Sequence, residues 1–152
     1  MNTGRVPEEF LAEIFKQAQR EYPSECCGMI FGPRSDSNQM SRLKGFRNVQ
    51  DLYHEKDPAN FPRTAQTAYF IEPAELLAVH KGLRKKGEEI RVIYHSHIDR
   101  GAYFSEEDKR AATPDGEPAY GGADYLVVSV VKGKVKDANL FRWDPKKRDF
   151  LL

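Results

Sequence analysis

Cysteine is nearly absent from this chain. Its 152 residues contain two, Cys26 and Cys27, side by side. Adjacent cysteines rarely pair, because the ring they would close is strained, and they lack the C-x-x-C spacing of a zinc knuckle or redox pair. A disulfide framework is therefore excluded, and two thiols without one suit a reducing compartment, so a cytoplasmic location is expected. Long apolar runs are also missing: none approaches the ~20 residues of a membrane span, and Met1–Pro7 lacks the apolar core of a signal peptide. No membrane association is expected. Nor is there an excess of charge of one sign, since 24 Lys and Arg face 23 Asp and Glu. A net charge of +1 gives no reason to expect a polyanionic partner, so nucleic-acid binding is not expected. Internal repeats and low-complexity tracts are absent.

What is present fits one domain over residues 1–152. A chain of this length buries roughly 70% of its extended surface, enough for a core without covalent staples. Phe10, Leu11, Ile14, Phe15 and Ala18 recur at helical spacing and predict a helix over 7–21, with Pro7, Glu8 and Glu9 suited to its first turn. The apolar run Cys26–Gly32 predicts a buried strand, and the looser alternation of Met40–Asn48 a second strand paired with it. From Val49 to Gln66 no pattern survives, which predicts a long loop, and such loops in compact domains are usually functional or disordered. Thr67–Ile71 reads as a third strand. Pro73–Lys86 reads as a helix with Leu76, Leu77, His80 and Leu83 on one face, its basic last turn Arg84-Lys85-Lys86 complementing the helix dipole and Gly87 stopping it. Further strands are expected over Ile90–Tyr94, Tyr125–Val131, Val135–Trp143 and Phe150–Leu152, with a short helix from Ser105 to Ala112 and a Gly- and Pro-rich loop over Thr113–Ala123. This order implies an α/β fold, a single mixed β-sheet flanked by helices.

Two of the four histidines, His95 and His97, stand one residue apart where an apolar run ends. Side chains two apart on a strand share a face, so both can reach one metal ion. A third ligand would complete a catalytic zinc site with an open position for water, and either Asp108 or Asp99 could supply it. Ser105-Glu106-Glu107-Asp108 is also a capping box, in which Asp108 satisfies backbone donors at a helix start. The two roles are compatible, because a capping serine would turn Asp108 back toward the strand end. A carboxylate is needed to move the proton of the attacking water, and Glu21, Glu25 and Glu72 are equal candidates from spacing. Cys26 and Cys27 read as small core residues, His80 as a packed core histidine, His54 as a solvated loop residue, and Trp143 and Phe150 as anchors of the C-terminal strands.

His95-Ser96-His97, seven intervening residues, then Ser105-x-x-Asp108 resembles the signature of the JAMM (MPN-plus) zinc metalloproteases. Glu25-Cys26-Cys27-Gly28-Met29-Ile30 resembles that family's upstream glutamate and Gly-containing strand, and the likeness runs from about Glu8 to Val131. The resemblance implies a cytidine-deaminase-like architecture. It implies Zn2+ held by His95, His97 and Asp108, with Glu25 as general base and Ser105 as a contact to the oxyanion. Ser96 fills the small middle position. Ile98 and Phe104 replace prolines common in the family, which bears on loop shape and not on the ligands. The Glu-Cys-Cys-Gly sequence and the short length are closer to the bacterial single-domain branch. That branch implies a peptidase acting on a ubiquitin-like or sulfur-carrier protein with a C-terminal Gly-Gly tail, releasing a terminal cysteine or peptide. Such a tail could add as a strand to a sheet edge, with the Val49–Gln66 loop as a clamp. A non-catalytic MPN-type interaction scaffold is the alternative, although every ligand is retained here. A zinc deaminase is disfavoured by the absence of its H-x-E and P-C-x-x-C elements.

Overall fold

The computed structural model describes all 152 residues. One six-stranded sheet, ordered β2-β1-β3-β4-β5-β6, is built from β1 (Cys27–Pro33), β2 (Arg42–Phe46), β3 (Glu88–Ile98), β4 (Asp124–Val131), β5 (Lys134–Asp144) and β6 (Asp149–Leu151). The helices are α1 (Glu8–Glu21), α2 (Gln50–Lys56), α3 (Pro73–Lys86) and α4 (Glu106–Ala112). All pairings are antiparallel except β3 with β4. A parallel pair needs a crossover, and here that connection carries α4. The fold is the mixed α/β sheet that the order of elements predicts.

Side-chain alternation splits the core into two layers. Cys26, Ile30, Val92, Tyr94, Leu126 and Val128 pack with Ile14 and Ala18 of α1. Cys27, Met29, Phe31, Ile93, Tyr125 and Val127 pack on the opposite face with Leu83 of α3 and Ala112 of α4. Because successive residues alternate faces, Glu25, His95 and His97 belong to this second layer. The register Cys27↔His95 continues outward: the Cys26 N–H donates to Ser96 Oγ at 2.7 Å, and the Ser96 N–H donates to the Cys26 carbonyl at 3.1 Å. Gly28 is required beneath Tyr94, since a Cβ there would lie 2.1 Å from the tyrosine hydroxyl. That hydroxyl instead donates to Gln17 Oε1 of α1 at 2.6 Å, tying the helix to the strand pair that carries the site.

Several local expectations are corrected. Residues 49–66 are not an unpatterned loop: α2 occupies Gln50–Lys56, and Tyr53, Phe61 and Phe70 pack with ring centroids 4.9–5.0 Å apart. His54 is half-buried, its Nδ1 2.7 Å from the Phe61 carbonyl oxygen, and so braces this segment. Thr67–Ile71 is not a strand, because Asn48 captures its backbone: the Phe70 N–H donates to Asn48 Oδ1 and Asn48 Nδ2 donates to the Ala68 carbonyl. On α3, Val79 packs against the core, whereas Leu77 is 56% exposed. His80 is half-buried and stacks on Tyr120 at 5.6 Å. The predicted strand ending at Tyr94 runs on to Ile98, so His95 and His97 sit within the sheet and not beyond its end.

Candidate metal centre

The ligand geometry follows from the β3–α4 unit. His95 and His97 are 1% and 0% exposed, flanked by the strands β1 and β4. Ser105 caps α4, its Oγ accepting the Asp108 N–H at 3.0 Å while Asp108 Oδ2 accepts the Ser105 N–H at 3.0 Å. This capping box aims the Asp108 carboxylate at both rings, with Oδ1 3.2 Å from His95 Nε2 and Oδ2 3.1 Å from His97 Nε2. One potential ligand atom from each residue lies within 4.8 Å of the others. Asp99, the other candidate ligand, is occupied elsewhere, accepting hydrogen bonds from the Tyr22 hydroxyl and the Lys132 N–H at 2.8 Å each.

The donor set fits a cation. His97 Nδ1 lies 2.9 Å from the Gly101 carbonyl oxygen. A carbonyl only accepts, so Nδ1 carries the proton and Nε2 of the neutral ring turns a lone pair toward Asp108. Burial lowers the His97 pKa against the pull of the nearby Asp108 carboxylate, which favours that neutral ring. His95 Nδ1 is buried without a hydrogen-bond partner, and Nε2 meets only the Asp108 carboxylate, in an ion-pair contact without hydrogen-bond geometry, a costly state unless something not supplied by the chain engages them. For His95 burial opposes protonation, but Asp108 and Glu25 outweigh it and raise the pKa. For Asp108 burial opposes ionisation, yet His95, His97 and the Ser105 N–H hold the carboxyl well below its usual range. Potential ligand atoms from two imidazoles and a carboxylate are thus gathered within 4.8 Å of one another.

Glu25 lies beside this cluster, 1% exposed, just before β1. Its N–H donates to the Ala65 carbonyl at 2.7 Å and its own carbonyl accepts from Asn48 Nδ2 at 2.9 Å. Its Oε2 accepts from Arg100 Nη2 at 3.0 Å. Burial pushes its pKa up to about 7, with His95 and Arg100 pulling against that shift. The rival glutamates are not at the site's centre: Glu72 accepts from the Tyr53 hydroxyl, and Glu21 lies at the C-terminal end of α1. Cys26 and Cys27 are buried free thiols, and burial pushes both pKa values up, Cys26 to about 12. They are core residues.

A family model described as prokaryotic homologs of the JAB domain matches residues 7–145. The chain belongs to this prokaryotic JAB family. Within it, the chain is similar to proteins named CysO-cysteine peptidase from Mycobacterium tuberculosis and Mycobacterium bovis. Each is 31% identical over 125 residues, covering 82% of this chain and 71% of the relative. Among solved structures, a Desulfitobacterium hafniense protein superposes with a TM-score of 0.64 at 24% identity, over 91% of this chain and 83% of that one. A Salinibacter ruber protein does so with a TM-score of 0.58 at 20% identity, over 96% and 85%. These two likenesses bear on the fold of the JAB domain alone.

Spacing did not single out the residues that flank the ligands. Tyr69 stacks on His95 at 5.0 Å, and Tyr103 sets its ring edge-on to His97 at 5.0 Å. Beside Tyr69 opens an apolar groove with a cavity of about 270 Å³. Its lining includes Glu25, His95 and Asp108 together with Met29, Ile71, Leu76 and Tyr125. Arg100 lies outside this groove. The only signal for it in the sequence was a positive charge three residues beyond the histidine pair. Ser96, expected to be only a small spacer, holds the strand that leads from Glu25.

Proposed function

We propose that this chain is a zinc-dependent peptidase that hydrolyses a bond at the C-terminus of a ubiquitin-like or sulfur-carrier protein. The observation that carries the reading is the clustering of ligand atoms of His95, His97 and Asp108 within 4.8 Å, with the His95 ring left without a hydrogen-bond partner, beside a buried glutamate of near-neutral pKa. Membership of the JAB family and a relative named CysO-cysteine peptidase support it. His95, His97 and Asp108 would hold the metal. When bound, a zinc ion supplies Lewis acidity at the scissile carbonyl and a water whose pKa falls toward ~7. Glu25 takes the proton of the attacking water and delivers it to the leaving amine. A carboxylate with a pKa near the working pH serves both halves of that transfer. The Ser105 Oγ already accepts the Asp108 N–H, which leaves its own proton to donate to the developing oxyanion. The apolar groove would receive the carrier's flexible Gly-Gly tail on the Tyr69 side.

The test combines metal analysis with one substitution. Protein from a zinc-replete preparation is expected to hold about one zinc per chain. Glu25→Gln is expected to retain the metal while lowering cleavage of a carrier–cysteine adduct by roughly 10²–10⁴-fold. Wild-type protein that takes up no zinc would favour the non-catalytic scaffold. Cleavage that survives Glu25→Gln would overturn the assignment of the base.

A further inference from the structure

We infer that Arg100 is a specificity residue that binds the free α-carboxylate of a single C-terminal residue as it leaves. This inference rests on the peptidase reading and defines its substrate class as a carrier extended by one amino acid. Isopeptides and internal peptide bonds are then disfavoured.

Arg100 is placed by the structure and not by chance exposure. It follows Asp99, which adopts a left-handed φ of 55° and is fixed by the Tyr22 hydroxyl and the Lys132 N–H. Its carbonyl accepts from Ser129 Oγ at 2.5 Å, and Asn139 Nδ2 donates to the Ala102 carbonyl at 3.0 Å. The loop is therefore anchored to β4 and β5 on both sides of the guanidinium. Of the five N–H donors of an arginine, one Nη2 donor reaches Glu25 and one Nη1 donor reaches the Tyr103 hydroxyl at 3.3 Å. Nε is buried with no acceptor. The side chain is still 28% exposed, and Tyr103 beside it is 48% exposed. A guanidinium with unused donors, opening to solvent next to the catalytic carboxylate, is a receptor for a planar anion.

Chemistry identifies the anion. Glu25 must reach the leaving amine to protonate it. In a terminal amino acid, one carbon separates that amine from the α-carboxylate, so a nitrogen held at Glu25 brings the carboxylate to Arg100, 3.0 Å from Glu25. A lysine side-chain amine carries no charge of this kind nearby, and an internal residue presents a neutral amide instead. Among the residues lining the apolar groove, Arg63 is the one Lys or Arg side chain, and no contact of it with Glu25 is seen, whereas Arg100 bonds Glu25 directly.

The test uses two fluorescein-labelled peptides ending in Gly-Gly-Cys, one a free acid and the other a C-terminal amide. In anisotropy titrations of the metal-free protein, the acid is expected to bind about tenfold to a hundredfold tighter than the amide. Cleavage by the zinc-loaded protein should show a kcat/KM preference of the same order. In Arg100→Ala, both ratios should fall to near one, whatever happens to the absolute rates through the lost Glu25 contact. Arg100→Lys should retain part of the preference. Equal handling of acid and amide by the wild type would overturn the inference without recourse to any variant, as would a preference that survives in a folded Arg100→Ala. An intact binding preference with no cleavage of either peptide would instead defeat the peptidase reading and leave the carboxylate site standing.

Discussion

The two flanks of the candidate metal centre are made of different materials. On one, Tyr69 stacks on His95 at the mouth of a groove lined by Met29, Ile71, Leu76 and Tyr125. On the other, Tyr103 leans on His97 beside the Arg100 guanidinium. The apolar flank can hold a tail through shape and buried area, which tolerates variation in sequence. The charged flank can read only a group with the right charge in the right place. On the proposed peptidase reading, affinity and selectivity are separable, one on each flank of the site.

Three experiments test whether the two flanks act independently. The largest effect is expected from Arg100→Glu, which sets a carboxylate against the incoming carboxylate. Like charges in contact cost several kcal/mol, so kcat/KM for the acid peptide should fall about a hundredfold or more, and by much more than for the amide. A smaller effect is expected from Leu76→Ala on the apolar flank. Losing about 1 kcal/mol of partly buried contact should raise KM about fivefold for acid and amide alike, with kcat little changed. A selective loss on one of the two peptides would show that the flanks are not independent. The smallest effect is a shift in the pH–rate profile. Arg100 helps hold down a Glu25 pKa that burial raises to about 7. The ionised base is the form present above that pKa, so activity should rise with pH through the acidic limb. Arg100→Ala removes a group that favours the ionised form, so the limb should move to higher pH while Leu76→Ala leaves it in place. A limb that moves to lower pH, or not at all, would remove Arg100 from the electrostatics of the base.

The sequence displayed the three candidate ligands because their geometry is local. An H-x-H pair on one strand and a capping box on the next helix need no knowledge of distant contacts, and both stand where the spacing put them. Glu25 was out of reach of spacing alone, since its position depends on the pairing of β1 with β3. Thr67–Ile71 has a strand-like composition, but a single asparagine side chain claims its backbone groups. A seven-residue helix such as α2 is too short to print a period. Arg100 resisted detection for a similar reason: a charged loop residue becomes meaningful only when folding sets it against a carboxylate 75 positions away.

The Ser96–Cys26 link has a consequence for how this architecture can vary. Sliding one strand past its neighbour by a single residue inverts every side chain, so the segment entering β1 would then turn Cys26 in place of Glu25 toward the face that carries His95 and His97. A hydroxyl bonded to the backbone N–H of Cys26 opposes that slip at the very step where it would do damage. The alignment of Glu25 with His95 and His97 is thereby held within the sheet, upstream of any loop. Insertions or exchanges in the segments bearing Tyr69 and Arg100 can then reshape the surroundings of the site without shifting Glu25 against the two histidines.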